Sequence, residues 1–166
     1  RYFLSLVPHP PLEAVPPTLF LKRLVKKILY YKLKNMDDLD SATSKGRIGE
    51  CLVAYLLERW GVECHHVDRS GVDLWCQSRN KDVFTVQVKS ANVSSDRPKY
   101  AFNVATTKTA DFYVFVALDL EQVIVRPILE VAHKTTLRIA IKEFNDAKTK
   151  EGLDLLSNFK REDHLP

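Results

Sequence analysis

Four polar residues of this chain have the types and the order that metal-assisted hydrolysis needs, namely two acids, an amide and a lysine. They are Glu50, Asp73, Gln87 and Lys89. The two carboxylates and a backbone carbonyl, that of Val88, suit Mg²⁺, which prefers oxygen ligands and keeps several of its waters. A lysine ammonium beside such an ion can stabilise charge that develops on a phosphate. The set predicts a divalent cation held beside a phosphodiester bond, which is the chemistry of a metal-dependent DNA endonuclease.

The segment that carries Gln87 and Lys89 alternates in polarity, as a half-buried β-strand does. In residues 82–89 the polar face ends in these two side chains, roughly 6–7 Å apart along the strand. The segment of residues 72–77 alternates in the same way and carries Asp73 on its polar face. The polar residues between the two segments predict a turn. The two strands should therefore form a hairpin that brings Asp73 close to Gln87.

Glu50 is predicted to lie in the first two turns of a helix. The helix should begin after a capping side chain, Thr43 or Ser44, and end at Gly61. Apolar residues recur at helical spacing within it: Ile48, Leu52, Tyr55 and Leu56. Glu50 stands beside this apolar stripe, so its carboxylate is free to reach over the edge of a sheet.

These residues resemble the PD-(D/E)xK nuclease superfamily, which includes restriction enzymes, junction resolvases and some homing endonucleases. The segments KGRIGECLVAYLLERWG, RSGVDLW and FTVQVKSA are most similar to the small group I intron homing endonucleases of that superfamily. In these endonucleases, too, a glutamine stands where the second acid is usual. The resemblance covers roughly residues 45–118, and it departs from the pattern at Val72, where the superfamily often has proline.

The resemblance implies a restriction-endonuclease-like α/β fold, in which helices flank a mixed β-sheet with an αβββαβ-type core. It implies a Mg²⁺-dependent cut of double-stranded DNA, with Mn²⁺ able to substitute, made by a homo-oligomer such as a dimer or tetramer. The catalytic set would be Glu50, Asp73, Gln87 and Lys89, and the metal ligands would be Glu50, Asp73 and Val88. Because Gln87 contributes no charge, one metal ion is slightly favoured over two.

Two other functions fit the same residues. The first is a structure-specific nuclease such as a Holliday-junction resolvase, although resolvases usually carry glutamate where Gln87 stands. The second is a nucleic-acid-binding module of the same fold that does not cut. Only an activity measurement separates the nucleases from the module.

Polar and basic residues around the predicted site are candidate DNA contacts, because phosphate contacts dominate protein–DNA interfaces. Four of them follow the lysine along the chain: Ser90, Asn92, Arg97 and Lys99. Three others complete the set: Lys45, Arg47 and Lys108. Which residues read base edges is not visible in the sequence.

The composition is that of an ordinary globular domain, with 166 residues, 45% hydrophobic and 28% charged. The net charge of +4 is unevenly placed: residues 1–36 hold seven Lys/Arg and one acid, net +6, which leaves −2 for residues 37–166. Three scattered cysteines argue against a disulfide framework, and their spacing fits no common zinc site. No apolar run has the length of a membrane span or a signal segment, so we expect no membrane association and an intracellular protein.

The chain divides near Met36. Residues 1–35 combine a proline-rich lead-in with a basic amphipathic helix and are interpreted as an extension or appendage. Residues 36–166 are interpreted as the nuclease domain. After the site, the patterns predict strands over residues 100–104, 111–118 and 121–126, helices over residues 128–134 and 152–159, and an ambiguous segment over residues 137–144.

Overall fold

The structure is a computed structural model that describes residues 41–93, 98–104 and 109–164. The helices are α1 (Ala42–Arg59), the single-turn α2 (Ile128–Val131) and α3 (Asp146–Ser157). The strands are β1 (Glu63–Arg69), β2 (Val72–Gln77), β3 (Val83–Ala91), β4 (Lys99–Asn103), β5 (Phe112–Ala117), β6 (Gln122–Pro127) and β7 (Thr136–Ala140). Single 3₁₀ turns lie at Ile141–Glu143 and Arg161–His164. The predicted segment of residues 1–35 lies outside the described residues, so its boundary with the next domain stays a prediction.

Five strands form a mixed sheet in the order β1-β2-β3-β5-β6. Neighbouring strands are antiparallel except β3 and β5, which run parallel. Strands β4 and β7 pair antiparallel in a separate two-stranded sheet. The mixed sheet flanked by helices confirms the predicted α/β fold class.

The connection between β3 and β5 differs from the αβββαβ order, which places a helix there. Two parallel strands need a crossover connection, and its described part contains strand β4. The reason lies in the sequence of this strand, where buried Tyr100 and Phe102 alternate with exposed residues. That period of two suits a pleated strand and not a helix. The strand predicted over residues 100–104 is thus present, and it belongs to the second sheet.

Strand β5 explains why the molecule has two apolar cores. Its residues are all buried, and alternate side chains face opposite sides of the sheet. One set packs under α1 and α3: Phe112, Val114 and Val116. The other set packs under the two-stranded sheet: Tyr113, Phe115 and Ala117. Full burial of each large apolar side chain contributes about 1.5–3 kcal/mol, so β5 is central to the stability of the fold.

The hairpin of β2 and β3 is present as predicted, with Leu74 opposite Val86 in the register. Its turn closes through a 2.9 Å hydrogen bond that the Ser78 amide donates to the Asp82 carbonyl. Lys81 has a positive φ of 69° in this turn, which is the left-handed conformation that reverses a chain. The β2–β3 hairpin therefore positions the acid and the amide of the predicted site.

The ends of α1 were partly predicted correctly. The N-cap is Ser41, whose side chain accepts a hydrogen bond from the Ser44 amide, so the expectation of Thr43 or Ser44 as the cap was wrong by two to three residues. At the other end, Gly61 has a φ of +79°, as a glycine that terminates a helix does.

In the C-terminal half two predictions are corrected, and one that the sequence left open is decided. The helix expected over residues 128–134 is only one turn long, and the ambiguous residues 137–144 form β7 and a 3₁₀ turn. The last helix begins at Asp146 and not at Gly152, because the Asn145 side chain caps it by accepting from the Lys148 amide. Its first turn and a half is polar, which hid the helix from a search for apolar periodicity.

Candidate active site

Asp73 is held at the start of β2 by two hydrogen bonds to a single carboxylate oxygen. Its Oδ2 accepts from the Val88 amide at 2.7 Å and from Gln87 Nε2 at 2.8 Å. The register of the hairpin causes this, because Leu74 opposite Val86 puts Asp73 beside Gln87. Since a carboxylate only accepts, the nitrogen of the Gln87 amide must be the atom that faces Asp73. Among the described residues, Asp73 Oδ1 accepts no hydrogen bond, so this oxygen remains for a ligand.

The first turns of α1 lie directly against the end of β3. A methyl group at Gly49 would lie 2.7 Å from Ser90 Cβ, so only glycine allows this approach. The Ser90 hydroxyl donates a 2.8 Å hydrogen bond to the Lys45 carbonyl and ties the helix to the strand. Glu50, the residue after Gly49, is thereby placed near the end of the hairpin that carries Asp73.

Glu50 and Asp73 line the same cavity of about 520 Å³. Burial raises the pKa of the Glu50 carboxyl, and the nearby charge of Asp73 raises it further. The charges of His66, Arg47 and Lys89 act in the opposite direction and lower the pKa of Glu50. The Lys89 ammonium is thus close enough to act on Glu50 electrostatically, although the two make no ion pair within 4.0 Å. All four predicted residues gather at one end of the β2–β3 hairpin.

The oxygen atoms at this place fit a hard divalent cation. Two carboxylates line the cavity, and Gln87 is 6% exposed with an Oε1 atom that has no hydrogen-bond partner among the described residues. A buried oxygen without a partner costs free energy unless something binds it. Within the described part of the chain, no cluster of three or more His, Cys, Asp or Glu residues could hold a metal ion. Carboxylate and amide oxygens are nevertheless the kind of ligand that an ion such as Mg²⁺ takes, with waters in its other positions.

Val88 contributes its amide to Asp73, whereas the predicted role of its carbonyl as a metal ligand stays a prediction. For most of the predicted DNA contacts, the structure shows where the side chain lies, and their contact with DNA stays a prediction. Arg47 is exposed and lines the cavity, and Asn92 and Lys99 are exposed. Lys45 is half-buried. Arg97 and Lys108 lie outside the described residues.

Ser90 is the predicted DNA contact for which the structure favours another role. Its only proton is engaged with the Lys45 carbonyl, whereas a phosphate oxygen needs a donor. The side chain is best explained as a tie between α1 and β3.

Three residues near the site are not among the predicted site residues. His66 and Arg69 on β1 line the cavity, and His66 Nδ1 lies 3.8 Å from Glu50 Oε2. Tyr113 on β5 pairs with Gln87 in the register, and its fully buried hydroxyl has no partner among the described residues. Burial and the charge of Asp73 raise the pKa of Tyr113. Arg69 could have been noticed from its position just before the turn into β2, but Tyr113 depends on a strand pairing that no local pattern shows.

Comparison with known proteins gives a likeness of fold. A bacterial homing endonuclease, I-Ssp6803I, has a similar structure with a TM-score of 0.53 and 21% sequence identity, over 60% of this chain and 75% of that chain. No family model and no curated protein sequence matches the chain. None of the described helices combines the length and the apolarity that a transmembrane helix requires.

Proposed function

We propose that this chain is a metal-dependent DNA endonuclease of the PD-(D/E)xK type that cuts double-stranded DNA at a specific sequence, as a homing endonuclease does. Two kinds of support converge. The first is the gathering of Glu50, Asp73, Gln87 and Lys89 at one end of a hairpin. The second is the fold, which is similar to that of a bacterial homing endonuclease.

The observation that carries the proposal is the fixed Asp73 carboxylate. Two donors, the Val88 amide and the Gln87 amide, hold one of its oxygens, and the cavity it lines contains a second carboxylate, Glu50. Two acids that share a cavity repel each other unless a cation lies between them or one is protonated. A bound cation beside a lysine is the arrangement that phosphodiester hydrolysis requires.

Each residue has a role in this proposal. Asp73 and Glu50 would hold the ion, with the Val88 carbonyl as a third ligand, and Gln87 would keep Asp73 in place. Mg²⁺, or Mn²⁺ in its place, supplies a lowered pKa for an attacking water and neutralises charge on the phosphate. Lys89 would orient that water and stabilise the negative charge of the transition state. The neutral Gln87 favours one ion over two, because a second ion needs more carboxylate charge.

The proposed substrate is duplex DNA, and the proposed active species is a homo-oligomer. One site cuts one strand, so a double-strand cut by a chain with one site needs at least two copies. A symmetric dimer or a tetramer meets this requirement.

The test is a cleavage assay of the full chain on a plasmid pool with random inserts, and on duplex and branched DNA of matched sequence, in Mg²⁺. Lys89→Ala, Asp73→Asn and added EDTA should each abolish cleavage, whereas Lys150→Ala, an exposed lysine of α3, should not affect it. Cleavage that survives Lys89→Ala or EDTA would overturn the proposed mechanism. A clear preference for branched DNA would replace sequence-specific cutting by structure-specific cutting.

A further inference from the structure

The candidate active site has an electrostatic difficulty that its own four residues do not remove. Glu50 and Asp73 carry like charges in one cavity, and a DNA phosphate that approaches them brings another negative charge. A single divalent ion and Lys89 together carry three positive charges, which only balance the two carboxylates and one phosphate. Positive side chains on the cavity wall would supply the remaining attraction for the DNA backbone.

The wall of the cavity carries such side chains on two different elements. Arg47 comes from α1, on the same helix as Glu50, and Arg69 comes from the end of β1. Both arginines are exposed, and among the described residues neither makes a hydrogen bond or an ion pair within 4.0 Å. His66 stands on β1 close to Glu50 and completes this side of the wall.

The position of Arg69 results from an irregularity in β1. The pairing of β1 with β2 shifts between His66 and Arg69, and the chain then turns through Gly71, whose φ is +81°. Bulges of this kind bend a strand and redirect its side chains, and they occur often beside active sites. Here the irregularity leaves Arg69 opposite Val72, one residue before Asp73. Arg69 and Asp73, the acid that we propose as a metal ligand, both line the cavity.

We infer that Arg47 and Arg69 form a two-sided clamp for a DNA backbone phosphate at the mouth of the cavity, with His66 as part of its wall. The inference rests on the proposed function, and it adds Arg69 to Arg47, which the sequence already indicates as a DNA contact. Guanidinium groups suit this role because they present paired donors that match two phosphate oxygens. A cavity of about 520 Å³ has the size of an ordinary ligand site, which leaves room for a phosphodiester group and a hydrated ion.

The clamp predicts a measurable salt dependence. The affinity of the full chain for a short labelled duplex of mixed sequence is measured by fluorescence anisotropy at several salt concentrations. All variants are made in a Lys89→Ala background with Ca²⁺ present, so that the DNA stays intact. Each phosphate contact contributes a slope of about −0.9 to the plot of log affinity against log salt. Because both arginines contact the same phosphate, Arg47→Ala and Arg69→Ala should each reduce the slope by part of this amount, and the double variant should reduce it by about 0.9 in total.

Arg59→Ala is the matched control, because it removes the same charge from the far end of α1, about 18 Å along the helix from Arg47. This variant should leave the slope unchanged. Slopes for the Arg47 and Arg69 variants that equal that of Arg59→Ala would overturn the clamp.

The clamp and the proposed function fail in different ways. Cleavage that depends on Mg²⁺ and Lys89, together with an unchanged slope in the arginine variants, would leave the nuclease intact and remove the clamp. Reduced slopes without cleavage by the wild-type chain would keep the clamp as a DNA-binding site and remove the nuclease.

Discussion

Helices α1 and α3 both pack on the same face of the sheet, and both approach it through a glycine. A methyl group at Gly49 in α1 would lie 2.7 Å from Ser90 Cβ, and one at Gly152 in α3 would lie 2.7 Å from Val125 Cγ2. A hydroxyl group ties each helix to a strand as well. Ser90 donates to a carbonyl of α1, and Thr149 of α3 makes two hydrogen bonds with the backbone of Val123 in β6.

The two contacts differ in the residue that comes directly after the glycine. In α3 this residue is Leu153, which is buried in the apolar core. In α1 it is Glu50, a partly buried carboxylate whose pKa is raised by burial. The same kind of helix–strand contact therefore adds an apolar side chain to the core in α3, whereas in α1 it positions a carboxylate. We expect variants of α3 to change stability alone, and variants at the start of α1 to change activity as well.

The largest expected effect is a difference in cleavage rate between a variant of α1 and a matched variant of α3. Glu50→Gln should lower the rate of Mg²⁺-dependent DNA cleavage by at least about a hundredfold, the usual scale for loss of a group that acts on the transition state. The matched variant on α3 is Glu151→Gln, which removes an exposed carboxylate paired with Lys148. Its cleavage rate should equal that of the wild type. Equal rates for the two variants would contradict the assignment of Glu50.

Gly152→Ala tests the stability role of α3. The new methyl group meets Val125 Cγ2 and Cβ at 2.7 and 3.1 Å and the Val125 amide nitrogen at 3.4 Å. Because the backbone is among the contacts, the clash cannot be relieved by a side chain alone, and the free energy of unfolding should fall by about 1–3 kcal/mol. Urea unfolding measures this, and cleavage per folded molecule should stay unchanged. A loss of cleavage activity larger than the loss of folded protein would contradict the expectation that variants of α3 change stability alone.

Gly49→Ala should affect both properties. The methyl group would push against Ser90 Cβ and Oγ at 2.7 and 3.0 Å, so the start of α1 must shift and carry Glu50 with it. We expect a loss of about 1 kcal/mol in stability and a lower cleavage rate in the protein that remains folded.

Gly46→Ala is the control on the same helix, since among the described residues its methyl group would meet only Glu50 Oε1, at 4.0 Å. It should stabilise the protein by up to about 1 kcal/mol, because alanine is the better helix former. Destabilisation by Gly46→Ala would show that glycine at this position has a role that the packing does not explain.

Tyr113→Phe probes a buried hydroxyl group near the candidate active site. The hydroxyl is fully buried without a partner among the described residues, and an unsatisfied buried polar group is destabilising. Its removal should leave stability unchanged or raise it by up to about 1 kcal/mol, as measured by urea unfolding in EDTA. Tyr55→Phe, which loses a 3.3 Å hydrogen bond from Arg59, provides the comparison. A clear loss of stability in Tyr113→Phe alone would reveal a partner for this hydroxyl.

The smallest effect concerns pH. The pKa of Glu50 is raised in the folded protein, first by burial and then by Asp73, so the folded state binds this proton more tightly than the unfolded state. Stability from this group is therefore lost as the pH rises from its ordinary pKa of 4.5 through the raised value. In metal-free buffer, Glu50→Gln should gain stability relative to the wild type across this window. A difference between the two proteins that does not change with pH would contradict a raised pKa.

The sequence was enough to predict the hairpin and the side chains that meet at its end. Polar and apolar residues alternate in residues 72–77 and 82–89, because successive side chains of a β-strand point to opposite faces. This alternation is a local property of the sequence. A short connection joins these two strands, so their pairing also depends on local information, and Asp73 is found beside Gln87. The helix that carries Glu50 was visible because its apolar spacing is equally local. The start of α3 was not visible, since polar residues and an Asn145 cap open it.

By itself, the sequence determined which side chains could do chemistry and which strands and helix carry them. Residue types and short-range periodicity depend only on residues that are close together in the chain. Only the tertiary structure decided the parallel pairing of β3 with β5, the second sheet, and the meeting of Arg47, His66 and Arg69 in one cavity. It also showed that Ser90 serves the packing of α1. These features depend on contacts between residues far apart in the chain, which are set by the burial of several apolar faces at once and not by any one segment.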